Sequence, residues 1–173
     1  MRTPRIVRRL AAAALASAGL LLAGCGFALR GSAELPYETL FVDLPDSSPL
    51  GAELKRTLRA GTKTRLVARR EDGEAVLLPL RELRGKTILS LSSSGRVREF
   101  RLRYNFDFRV TDRQGRDLVE PVLLLIERDF PFNDNQVLAK ETEEALIYRD
   151  MQSDMVQQIL RRMAAAQTLK PDK

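Results

Sequence analysis

From Phe100 to Val110 apolar and polar side chains alternate without a break: Phe100, Leu102, Tyr104, Phe106, Phe108 and Val110 against Arg101, Arg103, Asn105, Asp107 and Arg109. Successive residues of a strand point to opposite faces, so this run predicts one face in a core and one in a polar setting. On the polar face Arg101, Arg103 and Arg109 have two plain uses, contact with water or pairing with Asp107. Asp112-Arg-Gln-Gly115 reads as a hairpin turn, and residues 118–132 return as a strand with Pro121 near its start and Pro131 near its end. Upstream, Val76, Leu78 and Leu80 alternate, as do Thr87, Leu89 and Leu91, and Gly85 between the two runs predicts a bulge or bend. Ser92-Ser93-Ser94-Gly95 is the turn into the long strand. Residues 39–44 form an earlier strand ended by Pro45, and residues 65–68 another, followed by a polar loop over 69–74.

Two stretches change period. Ser48-Pro49 opens a helix with serine as N-cap and proline at the first helical position; Leu50, Leu54 and Leu58 fall on one face, and Gly61 is a C-terminal stop. Residues 136–170 hold no glycine or proline, and Ala145, Tyr148, Met151, Met155, Ile159 and Met163 recur every three or four positions. Asp134 or Asn135 is the expected cap, and Arg161-Arg162 suits the negative end of the helix dipole. Methionines and a tyrosine at that spacing are read as core. The order predicts an α+β two-layer sandwich, two helices packed on one face of a roughly four-stranded sheet.

The front of the chain is of another kind. Arg2, Arg5, Arg8 and Arg9 precede thirteen uncharged residues, 10–22, and the segment closes in Leu22-Ala23-Gly24-Cys25. A basic start and an apolar run of about 7–15 residues describe a secretory signal, whereas a transmembrane helix needs about 20. The closing motif resembles the bacterial lipobox, in which the cysteine thiol is lipidated, the bond before it is cut and the new amine is acylated. The competing reading, an ordinary signal with a chance cysteine, does not account for LAGC at the end of a run of this length. Residues 1–24 are thus expected to leave as a lipoprotein signal, with 25–36 a lipidated tether, 37–168 a single domain and 169–173 a frayed end. The expected lipid on Cys25 is a diacylglycerol plus an N-acyl chain, with no other cofactor. Gly26 follows where an aspartate resembles an inner-membrane retention signal, which points to the outer membrane.

Removing the signal alters the charge balance. Four of 29 basic residues go with it, leaving 25 against 23 acidic ones, so the formal +6 of the whole chain falls to about +2. Nucleic acid loses its compositional support as a partner. Histidine is absent and Cys25 is the only cysteine, which excludes disulfides, Ser-His-Asp triads, Cys-His dyads and the usual zinc sites. Only carboxylate or lysine chemistry remains for catalysis. Glu141, Glu143 and Glu144 are close together, but acids near a helix start have a dipole reason to be there. A hydrolase also needs two carboxylates at a defined separation, and no spacing marks such a pair. The chain is read as a non-enzyme.

Cys25-Gly26-Phe27-Ala28-Leu29-Arg30 resembles the mature start of the LptE family of lipopolysaccharide-assembly lipoproteins, usually Cys-Gly-aromatic-X-Leu-Arg. The resemblance runs on through Pro49-Leu50, Gly95 with Glu99-Phe100, and Arg128-Asp129-Phe130. It ends on Val137-Leu138-Ala139-Lys140-Glu141. It implies two helices on a four-stranded sheet, seated as a plug in the outer-membrane barrel LptD. That pair takes lipopolysaccharide from a periplasmic bridge and places it in the outer leaflet, and the lipoprotein also assists barrel assembly. Lys140 matches a family lysine implicated in lipopolysaccharide binding. Some members carry an arginine before the turn glycine, where this chain has Ser93-Ser94; Arg96 and Arg98 are the expected substitutes. In that setting Arg101, Arg103 and Arg109 would face a barrel lumen. The alternative is a lipoprotein adaptor of another envelope complex that never meets lipopolysaccharide.

Overall fold

A computed structural model describes residues 34–133 and 136–166. The first strand, β1 (Thr39–Val42), leads to helix α1 (Pro49–Gly61) and the two-residue strand β2 (Arg65–Leu66). A single 3-10 turn precedes three long strands, β3 (Ala75–Leu91), β4 (Val97–Asp112) and β5 (Asp117–Pro131), and helix α2 (Val137–Ala165) closes the fold. The sheet has five strands rather than four, in the order β2-β1-β3-β4-β5. β1 runs parallel to both neighbours, and β3, β4 and β5 form an antiparallel meander. Among the described residues no helix is long and apolar enough to cross a membrane.

The alternation of β4 holds throughout. Leu102, Tyr104, Phe106, Phe108 and Val110 are fully buried in the core between sheet and helices. Leu50, Leu54 and Leu58 of α1 enter the same core, and the Ser48 hydroxyl caps that helix by accepting from the Gly51 amide at 3.1 Å. Gly61 is its last residue and stops it without a left-handed turn; the Thr62 amide and hydroxyl both donate to the Leu58 carbonyl. Both predicted turns form, with Gly95 at φ 77° and Gly115 at φ 81°, a region where a Cβ is costly.

Three expectations need correction. The two short runs around Gly85 are one strand, and Gly85 sits in regular register opposite Arg103. The irregularity that sets the face of residues 81–88 lies at Leu80, an extra residue between the pairs Pro79–Phe108 and Arg81–Asp107; further ones fall at Leu89 and, on β4, at Arg98 near the tip. One extra residue reverses the inward and outward positions beyond it. Ala75 and Leu77 therefore face the helices before the bulge; Glu82, Arg84, Lys86 and Ile88 do so after it. The second correction concerns α2, which ends at Ala165, and whose buried stripe begins at Met151 and leaves Ala145 exposed. Thirdly, its N-cap is Gln136, whose side chain makes no capping bond; Asp134 and Asn135 lie outside the described residues. Pro121 sits in an irregular stretch of β5 between Val119 and Val122, where its missing N–H disturbs the ladder least.

Candidate functional site

The residues singled out from sequence gather at one end of the sheet. β3 and β4 meet in the Ser92–Arg96 turn, closed by the Ser92 amide donating to the Arg96 carbonyl at 2.7 Å and Gly95 N–H to Ser92 O at 3.0 Å. The Phe132 amide donates to Arg98 O, extending the β4–β5 ladder to the point where the chain turns into α2. Arg96, Arg98 and the first turns of α2, with Lys140, thus share this end. Arg96 and Arg98 are exposed and make no ion pair among the described residues. Lys140 is only 15 % exposed at its side chain, and its Nζ lies 2.7 Å from Glu143 Oε2. A cation in the first turns of a helix opposes the dipole, and Glu143 offsets that. The three cations share an end of the fold but no hydrogen bond joins them. Cys25 lies outside the described residues.

Behind this tip, between β3 and the first half of α2, is a polar seam that sequence reading missed. Lys86 Nζ pairs with Glu144 and stands 4.2 Å over the Phe100 ring, with Phe130 at 5.6 Å and Phe132 at 5.8 Å. The Arg84 guanidinium lies 4.5 Å over Tyr104 and 5.5 Å from Tyr148, and donates to Gln152 Oε1 at 2.9 Å. The Tyr104 hydroxyl donates to Glu82 at 2.7 Å, and burial with that carboxylate beside it raises its pKa despite Arg84. Gln152 and Ser153 donate onward to Glu53 of α1 at 2.6 and 2.7 Å, which joins the two helices. Tyr148 donates to the Gly85 carbonyl at 2.7 Å. The signal that marks this seam is Glu82, Arg84 and Lys86 alternating on one face, legible only once the bulge at Leu80 is known.

The outer face of the sheet settles the long strand's arginines. Arg101 clasps Asp129 through two hydrogen bonds of 2.7 and 2.9 Å, and Arg103 meets Glu127 at 2.6 Å. Arg109 approaches Asp117 at 3.7 Å, while Asp107 pairs with Arg81 of β3 at 2.7 Å. The hydrogen bond from Arg101 holds the Asp129 carboxyl below its ordinary range. These cations are neutralised across strands, so this face offers an anion little net charge. Leu83, Leu123 and Leu125 are exposed beside them, with Asn105 between Leu83 and Leu125. Among the described residues no three carboxylates or other ligands gather to hold a metal.

A family model described as LptE, lipopolysaccharide-assembly, matches residues 37–163. The LPS-assembly lipoprotein LptE of Photorhabdus laumondii is 29% identical over 162 residues, covering 92% of this chain and 87% of its own. The protein of that name from Yersinia enterocolitica is 30% identical over 153 residues, 86% of this chain and 72% of its own. Among solved structures, lipoprotein B of Nitrosomonas europaea superposes with a TM-score of 0.70 at 40% identity, covering 83% of this chain and 94% of that one. The rare lipoprotein B of Shewanella oneidensis does so with a TM-score of 0.66 at 25% identity, over 75% and 96%.

Proposed function

The chain belongs to the LptE family of lipopolysaccharide-assembly lipoproteins, and on that premise we propose that it plugs an LptD-type outer-membrane barrel and takes part in delivering lipopolysaccharide to the outer leaflet. It is a cell-envelope lipoprotein with a role in lipopolysaccharide assembly, and not an enzyme. In the proposed arrangement a lipid on Cys25 holds the domain at the periplasmic face of the outer membrane. The barrel encloses the sheet, and the far end of the fold meets the glycolipid.

One observation carries the reading. Chain entry and cationic tip lie at opposite ends of the sheet: Glu34 pairs with Lys63 just ahead of β1, whereas Arg96 and Arg98 follow the far end of β3. The fourteen steps from Leu77 to Leu91 span about 45 Å at roughly 3.3 Å each. That exceeds the roughly 30 Å of a bilayer's hydrocarbon core. A domain tethered at the inner side of the membrane and enclosed in a barrel therefore has the reach to present cations at the other side. Phosphates and acidic sugars are the groups such cations suit.

Affinity purification of the tagged full-length chain from its own membranes in detergent is expected to recover a large β-barrel protein in stable complex. A lipoprotein that runs alone defeats the plug reading and favours an adaptor of another complex. Lys140→Asp is expected to lower the lipopolysaccharide retained on that complex severalfold with the barrel yield unchanged. Retention equal to the parent's removes Lys140 from the contact.

A further inference from the structure

β1 pairs with β3 only at Ala75, Val76 and Leu77. Beyond that point β4 is the sole partner of β3 among the described residues, so residues 80–91 form a free edge whose outward N–H and C=O groups have no ladder. Of the eleven large apolar side chains exposed in the described residues, five lie on this segment: Leu80, Leu83, Ile88, Leu89 and Leu91, each 40–56 % exposed. A long, apolar, unpaired edge is a template for another strand, and stable proteins usually blunt it.

The opposite edge is broken by proline: β5 has Pro121 in an irregular stretch and ends at Pro131, although among the described residues 122–130 between them have no strand on their outer side. Residues 80–91 of β3 hold no proline, and their helix contacts are a few side chains of the seam. Their charges do not guard that edge either. Arg81 is drawn to Asp107, Glu82 to Tyr104, Arg84 to Gln152 and Lys86 to Glu144. These four side chains stay exposed but are tied to partners, and Tyr148 takes the Gly85 carbonyl; the rest of the edge offers main chain and apolar side chains.

We propose that residues 80–91 of β3 are a strand-addition site, filled in the assembled complex by an extended, alternately apolar segment of the barrel partner. This rests on the plug reading above. Unpaired main chain recognises main chain, and the exposed apolar side chains along it, Leu83 on one face and Ile88 on the other among them, select apolar residues in the added strand. A second copy of this chain is a poor occupant. Antiparallel self-pairing centred on Arg84, Gly85 or Lys86 sets cation opposite cation, and like charges directly opposite are unfavourable.

The test places a photo-crosslinking residue at Leu83 or Leu89, and at Glu120 on β5 for comparison, in the full-length lipidated chain in its native membranes. Leu83 and Leu89 are expected to give adducts with one and the same segment of the barrel, and Glu120, which the enclosing barrel can also touch, to give none with that segment. The double variant Leu83→Lys/Leu89→Lys is expected to recover at least about tenfold less barrel, with the melting temperature of its soluble domain unchanged. The proposal is overturned, and the plug reading kept, if the barrel co-purifies with the parent chain but Leu83 and Leu89 give no adducts with a common segment, or Glu120 reaches that segment too. It is equally overturned if the adducts are dimers of this chain. No barrel with the parent chain sinks both.

Discussion

Gly73 occupies a position where a methyl group has no room. A Cβ there would lie 2.8 Å from the Ala75 carbonyl oxygen and 3.1 Å from the Phe41 amide, both backbone atoms that hold β1 against β3. Its own carbonyl accepts from Arg113 at 3.0 Å, which ties the loop to the β4–β5 turn. Gly73→Ala is expected to destabilise the domain by about 1–3 kcal/mol, the usual range for overpacking, read from urea unfolding; a midpoint equal to the parent's shows that the loop yields. Nothing in the sequence flags this glycine, since its φ is ordinary and the crowding comes from Ala75 and from Phe41, a residue over thirty positions away, where β3 pairs with β1. Gly95 and Gly115 are the opposite case, because a hairpin turn demands a left-handed residue from local geometry alone.

At the scale of elements, α2 is two helices in one. From Met151 to Met163 it buries Met151, Met155, Val156, Ile159, Leu160 and Met163. Its first half leaves Leu138 80 % exposed and Leu146 50 % exposed, and meets the sheet through Lys86–Glu144 and Tyr148. Met155→Ala is expected to cost about 2–5 kcal/mol as a large-to-small core change, whereas Leu138→Ala should stay within about 0.5 kcal/mol as a surface change. Equal losses in denaturant titrations contradict the division. The methionine stripe was legible because a 3.6-residue period survives whatever it packs against. The seam was not, because its phase depends on the bulge at Leu80, and the bulge exists only in the pairing of β3 with β4.

For the whole molecule, the proposed lipid and the proposed enclosure are separate means of attachment. Three acyl chains hold a protein at a membrane firmly, since each buried CH2 contributes about 0.8 kcal/mol. A domain packed inside a barrel needs no such anchor to stay bound. Cys25→Ala, exported from an ordinary cleavable signal, is therefore expected to retain its barrel complex in co-purification; loss of the complex makes the lipid a requirement for assembly.

The sequence by itself determined the local elements: a β4 whose alternation admits one inward face, an α1 whose cap and leucine ladder start and orient it, and two glycine turns. These depend on neighbours a few positions away, and the chain carries those neighbours. It also placed LAGC behind an apolar run, and it brought Arg96, Arg98 and Lys140 forward through family likeness. Tertiary structure decided what depends on pairing. It cut the strand read at 65–68 to the two residues Arg65–Leu66 and paired it beside β1 as a fifth strand of the sheet, and it put the irregularities of β3 at Leu80 and Leu89 rather than Gly85. By the extra residue at Leu80 it turned Glu82, Arg84 and Lys86 to the helices and left Leu83 outside. It matched Arg101 to Asp129 and Arg81 to Asp107, partners between 26 and 28 positions apart. Side-chain direction in a sheet has a period of two, so one inserted residue reverses everything beyond it, and only the neighbouring strand records where that insertion falls.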